Sequence, residues 1–489
     1  MGSFVVSNLR SSLAYSFAGS YVAVPLQLVS TMVIARLLTP AETGVFAVAA
    51  VFAALASTFR DFGVTEYLIQ EKELKSEHIR ASLTVNIAIS WLMALLIFGG
   101  APWVADFYRD PGIANVMRVQ ACNFVLVPFG AVTMAYFRRQ LDFRPIFLAN
   151  LTSDLTSFTV ATAGALLGYG YMSLAWSSLA GVAATVTMSL WFRPTDFPRW
   201  PGLKGISRVV HFGKFASGVY IIGQIGRGAP EAIIGRASGL VDVALFSRSY
   251  SLVELFSRVV LTGIGPVCLP YFAQQHRASS SVVSGYLKSL SYLTAVGWPI
   301  LAFMIIGAYS AIRIVYGLQW LQCVLLAQLL CAAAIIGLVH CLASELLVAI
   351  GEVAGSARLQ FAIQVIRIVA MLFVIPFGLT GACCALVIAA LVNIVIAQSF
   401  LARSIGLTVR GVALACAPSL VLTLVAVAPA LLWMLSQGVS EENFLLFGIG
   451  GGMTTAVAWL LCARYCRHPL WEEIVTLFEK ASARWRRST

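Results

Sequence analysis

An all-α polytopic membrane protein with about 14 transmembrane helices is predicted from three properties of the chain. Apolar residues fill 59% of the 489 positions and charged residues only 11%, against roughly 25% charged in an ordinary soluble protein. The apolar residues come in runs of about 20 or more, enough to cross a bilayer as a helix. The Lys and Arg residues of the intervening breaks alternate in abundance, 22 on one set of breaks and 4 on the other, which is the positive-inside pattern. A soluble fold of mean hydropathy +0.87 would expose large apolar patches, and disorder requires low hydrophobicity.

The first run, 12–36, follows a single Arg10 and has no convincing cleavage site, so it reads as a retained span and not a signal peptide. The next five, 43–68, 80–105, 113–137, 146–168 and 171–193, complete a first group of six. A second group of six follows at 209–235, 243–272, 286–316, 321–350, 357–377 and 381–402, and two more runs lie at 411–435 and 443–465. The segments 43–68 and 243–272 carry charges, yet the alternation of basic breaks fails without them. The alternation places both termini in the cytoplasm. Outer loops are turns such as Gly168–Met172, Gly317–Trp320 and Gly378–Gly381, too short for an outer active site. Residues 467–489 read either as an amphipathic helix on the inner surface, where Lys480, Arg484, Arg486 and Arg487 meet anionic lipid, or as a frayed tail.

An internal repeat accounts for the two groups of six. Ile34-Ala-Arg36 matches Ile234-Gly-Arg236, Glu42 matches Asp242, Phe46 matches Phe246 and Ser57 matches Ser257, each at an offset of 200 residues. Six spans separate the copies, so the repeat is parallel. The implied organisation is a six-helix lobe at 1–193, a second at 194–403, two additional helices at 404–466 and a cytoplasmic amphipathic tail at 467–489.

The net charge of +12 belongs to the inner loops; no basic, aromatic-bearing soluble module points to nucleic acid. Most of the 10 cysteines lie in apolar runs as small hydrophobes. The spacing of Cys462, Cys466 and His468 fits no common zinc site. No metal or cofactor is expected. There is no P-loop, HExxH or GxSxG motif, so the drive for any transport comes from an ion gradient, a cargo gradient or a partner.

The run Ala35-Arg-Leu-Leu-Thr-Pro-Ala-Glu-Thr-Gly-Val-Phe-Ala-Val-Ala49 resembles the hallmark of polysaccharide-transport flippases, the O-antigen and exopolysaccharide repeat-unit exporters. These belong to the multidrug/oligosaccharidyl-lipid/polysaccharide exporter superfamily. Asp61-Phe-Gly63 with Leu68-Ile-Gln70, and Tyr136-Phe-Arg-Arg-Gln-Leu-Asp-Phe143, are similar to further family segments. The resemblance implies two lobes that work by alternating access in the inner membrane. It implies as cargo an oligosaccharide linked to undecaprenyl pyrophosphate, consumed by polysaccharide polymerase machinery. The second half of the chain departs from any family motif, which leaves the cargo open.

Charges at membrane depth are costly and mark a partner or a wet cavity. The basic ones are Arg60, Arg118, Lys214, Arg227, Arg248, Arg258 and Arg367; the acids are Asp61, Asp154, Glu231, Glu254 and Glu345. A net basic interior suits pyrophosphate, because Arg presents a planar fork to phosphate oxygens. Gln360, Gln364 and Arg367 form a polar stripe expected to face the cargo. Arg118 and Arg248 are further candidates that also have the option of snorkelling. Arg227 with Glu231, and Arg258 with Glu254, are spaced as internal ion pairs or as cargo contacts. Asp154, on a stripe with Asn150 and Ser157, is either a proton or sodium site or a carboxylate that holds an arginine. His340 and Glu345 carry the same ambiguity. Arg60-Asp61 and Lys214 read as structural. The alternatives are an ion-coupled multidrug or metabolite exporter and a membrane polymerase or ligase; the net basic interior and the short outer loops weigh against them.

Overall fold

The computed structural model describes residues 21–475 apart from 62, 72, 199, 279, 280, 466–468, 472 and 474; the side chains of 212–220 and 256–267 are also outside the description. Among the described residues the regular structure is entirely helical. The helices are α1 (Tyr21–Leu37), α2 (Pro40–Asp61), α3 (Val64–Gln70), α4 (Ser76–Tyr108), α5 (Pro111–Leu126), α6 (Pro128–Arg139), α7 (Phe143–Leu166), α8 (Met172–Trp191) and α9 (Ile206–Ala237). They continue with α10 (Leu240–Arg277), α11 (Val282–Ile306), α12 (Ala308–Val315), α13 (Cys323–Leu338), α14 (Ala343–Ala349), α15 (Val353–Val374), α16 (Gly378–Ile405), α17 (Val409–Gln437) and α18 (Phe444–Tyr465). The chain is thus a polytopic all-α membrane protein.

Over its described residues each of the predicted segments coincides with a helix or a helix pair; residues 12–20 of the first, and 476–489 of the predicted tail with Lys480, Arg484, Arg486 and Arg487, lie outside the described residues. Four are divided where the sequence reading had them continuous. The second breaks at Gly63, whose φ of +66° is accessible to glycine without strain. The fourth breaks before Pro128, which removes a backbone donor, and its halves meet at a 52° bend. The ninth breaks at Gly307 and the tenth over residues 339–342. By length and hydropathy alone, 8 helical stretches qualify as spans, 9 with the bent α5–α6 pair counted. One of the 8, the stretch 353–405, comprises α15 and α16, which are separated by a turn at Gly378 and pack on one another. The segments occupied by α1, α7, α9 and α10 do not meet that criterion among the described residues.

Helix starts follow local chemistry. In the segment Thr39-Pro-Ala-Glu42, the Thr39 amide donates to Glu42 Oε2 at 2.8 Å and the Glu42 amide donates to Thr39 Oγ at 3.3 Å. This is a capping box with proline at the first helical position, and a cap of this kind contributes about 1 kcal/mol. Asp110 caps α5 through the Gly112 amide at 2.7 Å, again ahead of a proline.

Two compact units divide the chain, 1–244 and 245–489. In the first, α4 packs on α5, α7 on α8, and α9 against α2, α3 and α4. Tyr108 of α4 donates to the Ala232 carbonyl of α9 at 3.0 Å. The loop before α9 is fastened to α4: Gly202 exchanges hydrogen bonds with Thr84, and Lys204 pairs with Glu77 at 2.9 Å. In the second unit, α11 packs against α13 and α17, α17 against α18, and α16 against α13, α14 and α15.

Candidate functional site

Two of the sequence segments singled out above meet in the first unit. Arg139 Nη1 donates to the carbonyls of Leu68 and Ile69 at 2.7 and 3.3 Å, so it caps the carbonyl end of α3. Arg60 pairs with Asp61 at 2.6 Å, as the structural reading expected.

The second unit holds an arginine in a different setting. Arg248 enters from the first turns of α10 and is half-buried. Its guanidinium carbon lies 5.9 Å from the ring centre of Tyr316 and 5.6 Å from that of Trp320. Both rings are buried, and Tyr316 donates to the Arg248 carbonyl at 3.1 Å. Cation–π contacts fix the plane of the guanidinium, yet Nε is shut in without an acceptor. Arg248 forms no ion pair with a described carboxylate.

One turn further along α10, Leu252 lines an apolar cavity of about 460 Å³. Its walls come from α10, α11, α12 and α18, with Phe303, Ile314, Val315, Gly452 and Trp459 among them. Leu252 is four residues from Arg248 and Val315 adjoins Tyr316, so cavity and guanidinium share the same two helices. Arg248, Tyr316 and Trp320 are not themselves in the cavity wall; α10 carries a cation and, one turn on, a wall residue of an apolar chamber, the two kinds of group an amphiphile with an anionic head and a hydrocarbon tail requires. The sequence reading had Arg248 but neither the cavity nor the aromatic pair; the crowding of Tyr316 and Trp320 around the Gly317 turn was the available signal.

The remaining candidates are dispersed. Arg118 is exposed on α5, 5.9 Å from the Phe98 ring centre. Arg227 is exposed on α9 and donates to Gln224 Oε1 at 2.9 and 3.3 Å. On α15, Arg367 is half-buried, Gln364 is buried with Oε1 lacking a partner, and Gln360 Nε2 donates to Ser344 Oγ at 2.8 Å. The two glutamines of that stripe therefore point into the second unit. Asp154 is exposed on α7, and Ser157 of its stripe donates to the Ser177 carbonyl of α8 at 3.1 Å. Glu231, Glu254 and Glu345 are half-buried. The side chains of Lys214 and Arg258, together with Cys466 and His468, lie outside the described residues. No group of three potential metal ligands occurs among the described residues.

At the α17–α18 turn, Glu441 accepts from Tyr309 at 2.5 Å and from Arg313 Nε at 2.9 Å, and Arg313 stacks 5.0 Å from the Phe444 ring centre. Near the other end of α11, Lys288 pairs with Glu473 at 3.3 Å. The donors to Glu441, Tyr309 first, hold its carboxyl below the usual range. The folded state therefore binds this proton less readily than the unfolded chain. The clamp's contribution is complete above the ordinary glutamate pKa and is lost as pH falls through the lowered value. Glu441→Gln is expected to lower the melting temperature of the purified protein at neutral pH, with the difference from wild type vanishing in acid. A difference that persists unchanged in acid would refute the clamp.

A family model described as "Polysaccharide biosynthesis protein" matches residues 33–325. The chain is 22% identical over 333 residues to the "Lipopolysaccharide biosynthesis protein WzxC" of Escherichia coli (strain K12), covering 67% of each chain. It is 26% identical over 301 residues to the "Succinoglycan biosynthesis transport protein ExoT" of Rhizobium meliloti (strain 1021), covering 60% of each. These alignments span 60% to 67% of the relatives' own length. Among solved structures, the "Lipid II flippase MurJ, inward closed conformation" superposes with a TM-score of 0.69 over 93% of this chain and 99% of that one, at 13% identity. At that identity the likeness shows a shared fold.

Proposed function

The chain belongs to the polysaccharide biosynthesis protein family, and from that premise we propose that it is a flippase for a lipid-linked oligosaccharide. The cargo is a polysaccharide repeat unit on undecaprenyl pyrophosphate, moved across the bacterial inner membrane by alternating access, with both termini cytoplasmic. The observation that carries this reading is that α10 bears both Arg248, a cation with no described counter-charge, and, four residues on, Leu252 in the wall of the apolar cavity. Arg forks bind phosphate oxygens bidentately, and an apolar chamber accepts polyprenyl carbons without hydrogen-bonding demands.

In this reading Arg248 holds the pyrophosphate. Arg118, Arg227, Arg258 and Arg367 supply a cationic path for the headgroup, and Gln360 and Gln364 order its surroundings. The segments 1–193 and 194–403 are the two halves of the repeat, with 404–466 added to them. The protein acts as a carrier, with polymerase machinery consuming the delivered unit. A proton or sodium gradient drives it, with Asp154, Glu231, Glu254 and Glu345 as the carboxylates available for coupling.

The test is a deletion strain in which polyprenyl-linked sugars are extracted and assigned to a leaflet. Single repeat units trapped on the inner leaflet are the expected result. Units stranded on the outer leaflet would reassign the chain to polymerisation or ligation. Altered drug sensitivity without accumulation would reassign it to multidrug export.

A further inference from the structure

The second unit also contains a carboxylate that pyrophosphate binding leaves unused. We propose that Glu345 is the group that takes up and releases the transported proton, at the break between α13 and α14. The proposal rests on the transporter reading and names its coupling site among four candidate carboxylates.

The break is local. Helix α13 ends at Leu338 and α14 begins at Ala343, so the tenth segment is interrupted inside an apolar run. Glu345 lies in the first turn after it. One carboxylate oxygen, Oε2, is shut off from solvent and has no hydrogen-bond partner. No described Lys or Arg pairs with Glu345.

Its surroundings are titratable but uncharged in kind. Glu345 interacts electrostatically with Cys268 of α10, Tyr286 of α11 and Cys341 of the break. His340, also in the break, meets the Tyr286 hydroxyl through Nδ1 at 3.2 Å, and Cys416 of α17 faces the same tyrosine. From α15, Gln360 reaches Ser344, the residue beside Glu345. Glu352, after α14, is exposed and accepts from Ser404 Oγ at 2.6 Å.

Chemistry selects the ion. A carboxylate with one oxygen shut off from solvent inside an apolar run, and no described counter-charge, is costly as an anion, and a bound proton removes that cost. Hard metal cations require several oxygen ligands, whereas the groups around this single carboxylate are thiols, a phenol and an imidazole, with the neighbouring Ser344 hydroxyl engaged by the Gln360 amide. The Tyr286–His340 pair supplies hydroxyl and imidazole groups that relay a proton. The interrupted helix supplies a hinge at which the pocket opens to water. The step is a simple exchange: a proton binds Glu345 when the pocket faces one side and leaves as the carboxylate rehydrates on the other.

The test is infrared spectroscopy of the full chain reconstituted in lipid, which requires no cargo. Wild type is expected to show a protonated-carboxyl band that declines as pH rises; Glu345→Gln lacks it, and Glu345→Asp retains a shifted one. Identical bands in wild type and Glu345→Gln would overturn the proposal. Loss of the band on adding sodium chloride at fixed pH, with no response to potassium chloride, would overturn it in favour of a sodium site. In cells, export by Glu345→Gln is expected to become insensitive to an uncoupler; full uncoupler sensitivity would also overturn it. Failure of the infrared arm leaves the flippase reading standing, and failure of the leaflet assay leaves the infrared result standing.

Discussion

Replacing Arg248 with Met is expected to reduce export by roughly 30-fold to several thousand-fold, the equivalent of about 2–5 kcal/mol for removing one partner of an enclosed charge pair. The same substitution is expected to leave the melting temperature unchanged or raised. The two effects have opposite signs because Arg248 has no described counter-charge within the protein. A cation between buried Tyr316 and Trp320 with its Nε lacking an acceptor burdens the fold until an anion arrives. An apolar side chain of similar length relieves that burden, and Met adapts well to an aromatic cleft. Arg248→Lys retains the charge but loses the fork and is expected to fall between the two. The measurements are the rate of cargo appearance on the outer leaflet and thermal melting of the purified variants. Unchanged export in Arg248→Met would remove the pyrophosphate role. Lost export with a collapsed melting temperature would make Arg248 a structural residue.

The sequence showed where the helices are more clearly than what their charges meet. Apolar runs, whose length bilayer thickness sets, and the alternation of basic breaks, which membrane orientation sets, located the helical segments among the described residues. The capping box at Thr39 and the Asp110-Pro111 start went unread, although a cap is made within four residues and its signal is local. The four helix breaks were not read from the sequence, although Pro128 and Gly63 offered local signals for two of them. The interruption at 339–342 has no proline and is hidden inside a strongly apolar run. Side-chain partners were harder still. The spacing of Arg227 and Glu231 suggested a pair; Arg227 also donates to Gln224, three residues the other way along the helix. Spacing reveals a shared face and leaves the choice of partner open. The glutamines of α15 were read as a stripe facing the cargo; their pattern did not reveal that α14 supplies Ser344 to one and that packing encloses the other. Tyr316 and Trp320 come to Arg248 from about 70 residues away, a distance at which local pattern is silent.

Gly44→Ala is expected to have the largest effect on folding of any single-methyl addition discussed here, with a sign opposite to what the sequence suggests. Gly44 lies inside α2, where alanine ordinarily stabilises a helix by about 1 kcal/mol over glycine. A Cβ at this position would collide with the Leu240 carbonyl oxygen and stand 2.6 Å from its carbon. Those are backbone atoms at the start of α10, so relief requires moving one helix against another. Overpacking typically costs about 1–3 kcal/mol, and an unyielding backbone places Gly44→Ala at or above the top of that range. Gly228 is a gentler case, because its added methyl would meet only Val51 Cγ1 at 2.8 Å, a side-chain atom with rotamer freedom. Gly99 has nothing within 4 Å and should show the propensity gain alone. The expected order of melting temperatures is Gly99→Ala above wild type, Gly228→Ala below Gly99→Ala, and Gly44→Ala lowest with reduced membrane yield. If Gly44→Ala melts at or above wild type, the close approach of α2 to the start of α10 is wrong. The TPAETG segment would then owe its family signature to the capping box alone.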